Sequence, residues 1–157
     1  MKNAFLVLAV LFCSIACNNT SAKNSNSEVS AQEISSSNVS VQEISKEQFL
    51  EKVYNFEKNP QNWVYEGKIP CIVDFYADWC GPCKALSPRL SNMAHEFEGK
   101  IVIYKINVDK EKELARAFGI SSIPALLWCP VNGEPHFTQG ALSEEDLRNR
   151  IKEVLLK

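Results

Sequence analysis

The apolar positions of this chain form two kinds of pattern, short unbroken runs and longer stretches with helical spacing. Two runs, Cys71 to Tyr76 and Ile101 to Val108, are apolar enough to predict central strands covered on both faces, as parallel sheets require. Helical spacing from Lys46 to about Lys58 precedes the first run, and helical spacing from Leu86 to Phe97 separates the two. This alternation predicts an α/β domain.

Boundary signals agree with these elements and extend them. Ser45 followed by Gln48 is a capping-box signature at the start of the first helix. A short helix is predicted from Lys110 to Phe118, and Asn132-Gly133 between two apolar runs predicts a β-hairpin. The last helix is predicted to begin at Ser143. The expected order is therefore β-α-β-α-β-α-β-β-α.

The N-terminus has the pattern of an export signal. Lys2 precedes an apolar run from Ala4 to Leu11 that is too short to span a bilayer and has the form of a signal peptide. Ser14-Ile15-Ala16-Cys17 resembles a bacterial lipobox, in which the cysteine is lipidated. We therefore expect residues 1–16 to be a lipoprotein signal peptide and Cys17 to carry a lipid anchor. An ordinary cleaved secretory signal is the alternative.

The segment after this signal has few apolar side chains. Residues 17–38 are rich in Ser and Asn, so they cannot bury enough surface to offset the entropy of ordering, and they predict a flexible tether. A domain over 39–157 follows. The sequence at 29–35 recurs almost unchanged at 39–45, and the second copy is the better first strand because it leads directly into the first helix.

Composition limits the classes of function. The 157 residues are enough for one domain with a buried core plus an extra segment. The chain has 17 basic and 19 acidic residues, a formal net charge of −2 and no long basic run. This balance argues against nucleic acid as a partner.

The candidate chemistry lies at Cys80-Gly81-Pro82-Cys83, where the first apolar run turns into a helix. A cysteine at a helix N-terminus meets unpaired backbone N–H groups and the positive end of the helix dipole, which both favour the thiolate. Pro82 is expected in the first helical turn, and Gly81 is expected to let another chain segment pass closely. We interpret the pair as a redox site. Half of a zinc site is the alternative, but no second Cys-x-x-Cys supplies further ligands.

The segment Ile72 to Lys84, IVDFYADWCGPCK, resembles the active-site segment of thioredoxins. Four later segments resemble, in the family's order, its next strand, its cis-proline loop, its closing hairpin and the turn into its last helix: 104–109, 119–125, 132–133 and 140–143. The resemblance covers Val39 to Lys157. It implies the thioredoxin fold, a five-stranded mixed sheet flanked by four helices.

Four residues have catalytic roles in this interpretation. Cys80 is expected to be the attacking thiol because it is nearer the helix start and the more exposed of the pair, and Cys83 the buried thiol that releases the target. Asp74 matches the family's buried carboxylate, whose raised pKa suits proton exchange with Cys83. Lys105 matches the lysine near that carboxylate. The alternative for Asp74 is a hydrogen-bonded structural carboxyl group.

The resemblance also implies a substrate surface. Ile123-Pro124 matches the family's cis-proline position, where backbone groups hold a substrate strand alongside the cysteines. Trp79 and the loop at Gly140 are expected to supply flat apolar surface around it. With Gly81 and Pro82, these complete the expected substrate-binding residues. The alternative for Trp79 is simple packing at the strand end.

These features imply an extracytoplasmic thiol–disulfide oxidoreductase that reduces or reshuffles the disulfides of exported proteins. Gly-Pro between the cysteines and Ile123 before the proline resemble the reducing members of the family. We expect a monomer in the periplasm, anchored by lipid on Cys17 and kept reduced by a membrane thiol transporter, without cofactor or metal. The alternatives are a dedicated reductant for cytochrome c maturation and a peptide-binding module without turnover.

Two further cysteines are not required by the thioredoxin pattern. Cys71 and Cys129 fall on strands that the family pairs antiparallel, so they are expected to lie nearly opposite each other. Buried free cysteines pack as small hydrophobes, and we favour two free thiols over a structural disulfide.

Overall fold

A five-stranded mixed sheet organises the computed structural model, which describes residues 41–157. The strands are β1 (Gln42–Glu43), β2 (Cys71–Tyr76), β3 (Val102–Asn107), β4 (Ala125–Cys129) and β5 (His136–Gln139), in the order β1-β3-β2-β4-β5. The first three strands are parallel, and β4 is antiparallel to both β2 and β5. The expected fold is confirmed.

Three helices connect these strands, and a fourth follows β5. They are α1 (Lys46–Lys52), α2 (Gly81–Glu96), α3 (Lys112–Ala117) and α4 (Glu144–Arg150), and one π-helical turn (Ile151–Leu155) continues α4. Within residues 41–157, none of the helices is long and apolar enough to cross a membrane. The β-α-β-α-β-α-β-β-α order predicted from the sequence is confirmed.

Side-chain caps start α1 and α4 at the two serines where the sequence predicts helix starts. The Ser45 hydroxyl accepts a hydrogen bond from the Gln48 backbone N–H, and the Gln48 side chain accepts one from the Ser45 N–H in return. The Ser143 hydroxyl accepts from the Asp146 N–H at 3.1 Å. Gly133, at φ 108°, has the positive φ that a tight hairpin turn needs. The first strand lies in the second copy of the repeated segment, and the first copy lies outside the described residues.

The prediction that the first helix extends to about Lys58 is wrong. The helix ends at Lys52, and Val53 leaves the helical conformation with ψ −67° and φ −120°. The Val53 carbonyl accepts from the Glu66 N–H, and Tyr54 forms an isolated β-bridge with Tyr65. Contacts with the following loop therefore replace the last helical turns, although the local spacing favours a longer helix.

Side chains on β2 alternate between two separate apolar layers. Cys71, Val73 and Phe75 belong to a layer that includes Phe49 of α1 and Leu114 of α3. Ile72 belongs to the opposite layer, which α2 and α4 cover, and Tyr76 packs with the cysteines of α2. Because strand side chains alternate with a period of two, Asp74 lies on the α2 side between Ile72 and Tyr76.

Cys71 and Cys129 are directly opposite each other on β2 and β4, as expected. Both are free thiols and fully buried. Burial in the apolar layer raises the pKa of the Cys129 thiol well above its usual range, so the neutral form predominates at neutral pH. Neutral buried thiols are poor nucleophiles, which protects this pair from exchange in the folded protein.

We predict that alkylation without reductant labels both Cys71 and Cys129 completely in the denatured protein, and neither in the folded protein. The reason is that both are free thiols hidden from the reagent. Peptide mass mapping of the full chain carrying Cys80→Ser and Cys83→Ser measures this directly. A peptide pair that joins the two residues until reductant is added would show a disulfide and contradict the prediction.

Candidate active site

The Cys80-Gly81-Pro82-Cys83 segment lies at the junction of β2 and α2. Cys80 is the N-cap residue of α2, with extended backbone at φ −77° and ψ 107°, and Pro82 lies in the first turn. A proline there loses no hydrogen bond because the first N–H groups of a helix have no intrahelical partner. The two sulfurs form a disulfide with an S–S distance of 2.03 Å. The predicted redox pair is therefore bridged in the structure.

The Cys80 sulfur lies at the N-terminus of α2 and accepts a hydrogen bond there. The Cys83 backbone N–H donates to the Cys80 Sγ across 3.2 Å. No acidic residue lies in the first turn of α2. In the reduced protein this donor and the helix dipole favour the thiolate at Cys80 over the thiol.

In the bridged form that the structure shows, Cys80 and Cys83 differ little in exposure. Cys80 is 4% exposed and Cys83 is 3% exposed. Each sulfur covers the other in the disulfide, and Tyr76, Ala77 and Ile123 pack around both. Exposure therefore does not separate attacker from resolver, and the distinction rests on the helix-end position of Cys80.

Gly81 has open space where a side chain would stand. A Cβ atom at this position would meet nothing within 4 Å, so no segment of the described chain passes closely. Gly81 and Pro82 are both exposed. The two residues between the cysteines instead form open surface beside the disulfide.

Asp74 is buried on the α2 side of the sheet. The residue has no exposed surface, and neither carboxylate oxygen has a hydrogen-bond partner among the described residues. Burial raises the pKa of Asp74 to about 7, and the positive charge of Lys105 acts in the opposite direction. The raised pKa agrees with the expected effect of burial, and no protein group of residues 41–157 is hydrogen-bonded to the carboxyl.

Lys105 is the neighbour of Asp74 on the adjacent parallel strand. Its ammonium group lies 3.9 Å from the centre of the Tyr76 ring, and it donates to the Ser87 hydroxyl across 3.4 Å. Lys105, Ser87, Tyr76 and Cys83 line a cleft of about 140 Å³. The sequence assigned no role to Tyr76 or Ser87, although Tyr76 follows Asp74 by two residues and so shares its side of the strand.

Trp79 is held at the rim of the site, with 70% of its surface exposed. Its indole N–H donates to the Asp109 carboxylate at 2.8 Å, which orients the ring. Asp109 is itself held by Asn107, which is buried. The Asp109 backbone N–H donates a hydrogen bond to the Asn107 side-chain oxygen at 3.0 Å. Simple packing of Trp79 at the strand end does not fit this exposure.

The loop before β4 borders the cysteines. The Ile123–Pro124 peptide bond is cis, as the resemblance implies, and Ile123 packs against the cluster that contains Tyr76, Ala77 and the two cysteines. The Gly140 N–H donates to the Pro124 carbonyl at 2.8 Å, so the two loops are joined. The Ile123 N–H and C=O make no backbone hydrogen bond to other residues in 41–157. These groups remain available beside the disulfide.

Metal binding was the alternative chemistry for the cysteine pair. Over residues 41–157, no group of three His, Cys, Asp or Glu side chains is placed to hold a metal ion. His95 and His136 are exposed and far apart along the chain.

Comparison with known proteins agrees with this geometry. The sequence model of the thioredoxin family matches residues 40–153. The chain belongs to the thioredoxin family. Thioredoxin from Borreliella burgdorferi is 42% identical over 108 residues, which cover 69% of this chain and 92% of that protein. Thioredoxin from Haemophilus influenzae is 45% identical over 91 residues, which cover 57% of this chain and 84% of that protein.

A solved structure extends the comparison to three dimensions. The crystal structure of chloroplastic thioredoxin z matches with a TM-score of 0.60 and 27% identity, covering 73% of this chain and 93% of that one. This chain, as a member of the thioredoxin family, is a thiol–disulfide oxidoreductase.

Proposed function

We propose that this thioredoxin-family protein reduces or reshuffles disulfides of exported proteins outside the cytoplasm, with Cys80 as attacking thiol and Cys83 as resolving thiol. One observation carries the chemistry. The two cysteines are bridged at the N-terminus of α2, where a backbone N–H donates to the Cys80 sulfur. A thiolate favoured in this way is a nucleophile toward other disulfides.

In the first step, the Cys80 thiolate attacks one sulfur of a target disulfide. A new bond forms between Cys80 and that sulfur, and the target S–S bond breaks. The second target sulfur leaves as a thiolate and takes a proton from water. The product is a mixed disulfide between the enzyme and its target.

In the second step, the Cys83 thiol gives its proton to the Asp74 carboxylate and attacks the Cys80 sulfur. The bond between Cys80 and the target breaks, and the target thiolate leaves and is protonated. A pKa of about 7 places Asp74 near equal populations of both forms at neutral pH, which suits a proton acceptor. The enzyme is then oxidised to the Cys80–Cys83 disulfide, and a dithiol reductant must restore it.

The surface beside the disulfide supports a peptide strand as substrate. Ile123 has a free backbone N–H and C=O within the described chain, next to the cysteines. An extended peptide pairing with these groups would place its disulfide against Cys80, as strand addition does at other sheet edges. Exposed Trp79, Gly81, Pro82 and Gly140 surround this position.

The location outside the cytoplasm is supported by the N-terminal sequence. Residues 1–16 have the signal-peptide pattern, and Cys17 lies in the lipobox-like segment; both lie outside the described residues. An exported reductase needs electrons from inside the cell, so a membrane thiol transporter is the proposed reductant. The protein would act as a monomer held at the membrane by lipid on Cys17.

Insulin reduction tests the proposed activity against the alternative of a peptide-binding module without turnover. The purified full-length protein with a small dithiol reductant is expected to reduce insulin disulfides catalytically, so that insulin precipitates. The variant Cys80→Ala is the matched control, because it keeps the binding surface and loses the attacking thiol. If the parent protein precipitates insulin no faster than Cys80→Ala does with the same reductant, the oxidoreductase assignment for this site is rejected.

We predict that Cys17→Ser moves the protein from the membrane fraction to the soluble fraction, or stops its maturation. The reason is that a lipidated cysteine supplies the anchor while the folded domain is unchanged. Fractionation and mass spectrometry of the mature N-terminus check this, with Cys13→Ser as the matched control. An unmodified mature N-terminus in the parent protein would refute the lipid anchor.

A further inference from the structure

Tyr76 contacts Lys105 beside the buried Asp74 carboxylate. Asp74 and Lys105 are register partners on β2 and β3, and Tyr76 follows Asp74 on the same side of β2. The Lys105 ammonium lies 3.9 Å from the Tyr76 ring centre. An ammonium group over an aromatic face is attracted by the electron-rich face of the ring quadrupole.

The same ammonium does not pair with Asp74, although the two residues are neighbours. None of the ion pairs among residues 41–157 joins Lys105 to Asp74. Both Asp74 oxygens lack a hydrogen-bond partner in that part of the chain. The second contact of the ammonium is the Ser87 hydroxyl on α2, at 3.4 Å. The Lys105 ammonium therefore contacts the Tyr76 ring and the Ser87 hydroxyl and makes no ion pair or hydrogen bond with Asp74.

The Tyr76 ring is itself fixed in place. Its hydroxyl donates to the Glu43 carboxylate at 3.0 Å, and the other oxygen of Glu43 accepts from Lys110 at 2.8 Å. The ring is 9% exposed and packs with the two cysteines. A ring held from both ends can hold a flexible lysine in one direction.

We propose that Tyr76 is a positioning residue: with Ser87, it holds the Lys105 ammonium away from the Asp74 carboxylate, which stays unpaired and free to accept the Cys83 proton. This inference rests on the proposed role of Asp74 in the second step. A direct ion pair would stabilise the charged carboxylate and make it a weaker base. Tyr76 thus sets the pH at which Asp74 can act.

The other charged groups around the cleft are already engaged or exposed. Asp78 accepts from the Asn107 side chain, and Lys84 is an exposed residue of α2. Glu43 and Lys110 pair with each other on the β1 side. Cys83 is in the disulfide. Burial raises the Asp74 pKa, and the positive charge of Lys105 opposes that effect. In the proposal, Tyr76 controls where the Lys105 ammonium points and therefore how strongly it opposes burial.

The direct test is the titration of the Asp74 carboxyl by carbon NMR in the oxidised full-length protein, with Asp74→Asn to assign the signal. In Tyr76→Leu, Lys105 loses its aromatic partner and turns to the carboxylate, so the titration midpoint falls by about one pH unit. The matched control Tyr76→Phe keeps the ring and leaves the midpoint nearly unchanged. A midpoint in Tyr76→Leu that stays in place or rises would overturn the proposal.

Tyr76→Leu could also lower the Asp74 titration midpoint by letting water reach the carboxyl. A second pair of variants distinguishes this explanation from a movement of Lys105. In a Lys105→Met background, Tyr76→Leu is expected to cause no shift, because there is no ammonium to redirect. An equal shift in both backgrounds would mean that water causes it, and the proposal would be wrong.

Ser87→Ala provides an independent variant if Tyr76→Leu does not fold. It removes the other contact of Lys105, and a smaller fall of the Asp74 midpoint is expected. No fall, with Tyr76→Leu unfolded, would count against the proposal. The titration does not depend on turnover, so it is distinguishable from failure of the proposed function, which insulin reduction measures.

Discussion

Cys83→Ala is expected to accumulate mixed disulfides with its targets, whereas Cys80→Ala accumulates none and loses disulfide reduction. Cys80 is the residue at the helix N-terminus, and the Cys83 backbone N–H still donates to its sulfur when the Cys83 side chain is shortened. The first step therefore proceeds in Cys83→Ala, and the second cannot, because no thiol is left to release the target.

Cells are quenched with acid, their free thiols are alkylated, and their proteins are separated on non-reducing gels to measure this difference. Bands of higher mass that contain the protein and disappear with reductant are expected in Cys83→Ala alone. The two variants control for each other, because each removes one buried sulfur of nearly equal exposure. Equal trapping by both variants would show that the attacker and the resolver cannot be assigned as proposed.

Asp74→Asn is expected to slow the second step by roughly tenfold to a hundredfold near pH 7, and to slow the first step little. The parent carboxyl has a pKa of about 7, so its base form increases as the pH rises through 7. The rate of the second step in the parent should rise over the same interval, and the Asn variant should lose this rise. Stopped-flow measurement of both steps from pH 6 to 8 checks this.

A stability measurement shows whether the Asp74→Asn effect comes from damage to the fold. The raised pKa means that the folded state binds more protons than the unfolded state between about pH 4 and 7. The free energy of unfolding of the parent therefore falls as the pH rises through this window, by up to about 4 kcal/mol at 1.36 kcal/mol per pKa unit. The Asn variant avoids this loss and should be the more stable protein at pH 8.

The control for removing one negative charge is Glu98→Gln, an exposed carboxylate after α2. It should leave the rates of both steps unchanged. Unchanged kinetics of Asp74→Asn for both steps across pH 6 to 8 would contradict the role of Asp74 as proton acceptor.

The sequence predicted the central strands well because their burial leaves a direct pattern. The predicted strand from Cys71 to Tyr76 has the observed bounds, and every one of its residues is buried. The opposition of Cys71 and Cys129 was implied by the family resemblance, in which their two strands pair antiparallel, and the register confirms it. In these cases the local sequence pattern and the tertiary contacts favour the same structure.

The sequence failed where contacts distant along the chain override the local pattern. The end of α1 depends on the bridge between Tyr54 and Tyr65, and helical spacing in residues 46–58 contains no information on that loop. The similar burial of Cys80 and Cys83 is a second feature that the motif does not contain, because it involves the disulfide and a cluster that Ile123, 43 residues after Cys80, packs against. A local motif cannot predict such coverage.

The direction of Lys105 was also beyond sequence reasoning. The register of β2 and β3 places Lys105 beside Asp74, and this alone would suggest an ion pair. The long side chain instead reaches Tyr76 and Ser87, which lie on two different elements. Side-chain direction in a packed cleft is set by all of its walls together.

The redox state of Cys80 and Cys83 in living cells tests the central claim most directly. Cells expressing the full-length protein are quenched with acid, and free thiols are then labelled with a reagent that changes the mass of the protein. An exported reductase supplied with electrons should be found mostly with both thiols free. A population that is mostly disulfide-bonded in growing cells would contradict the assignment as a reductase.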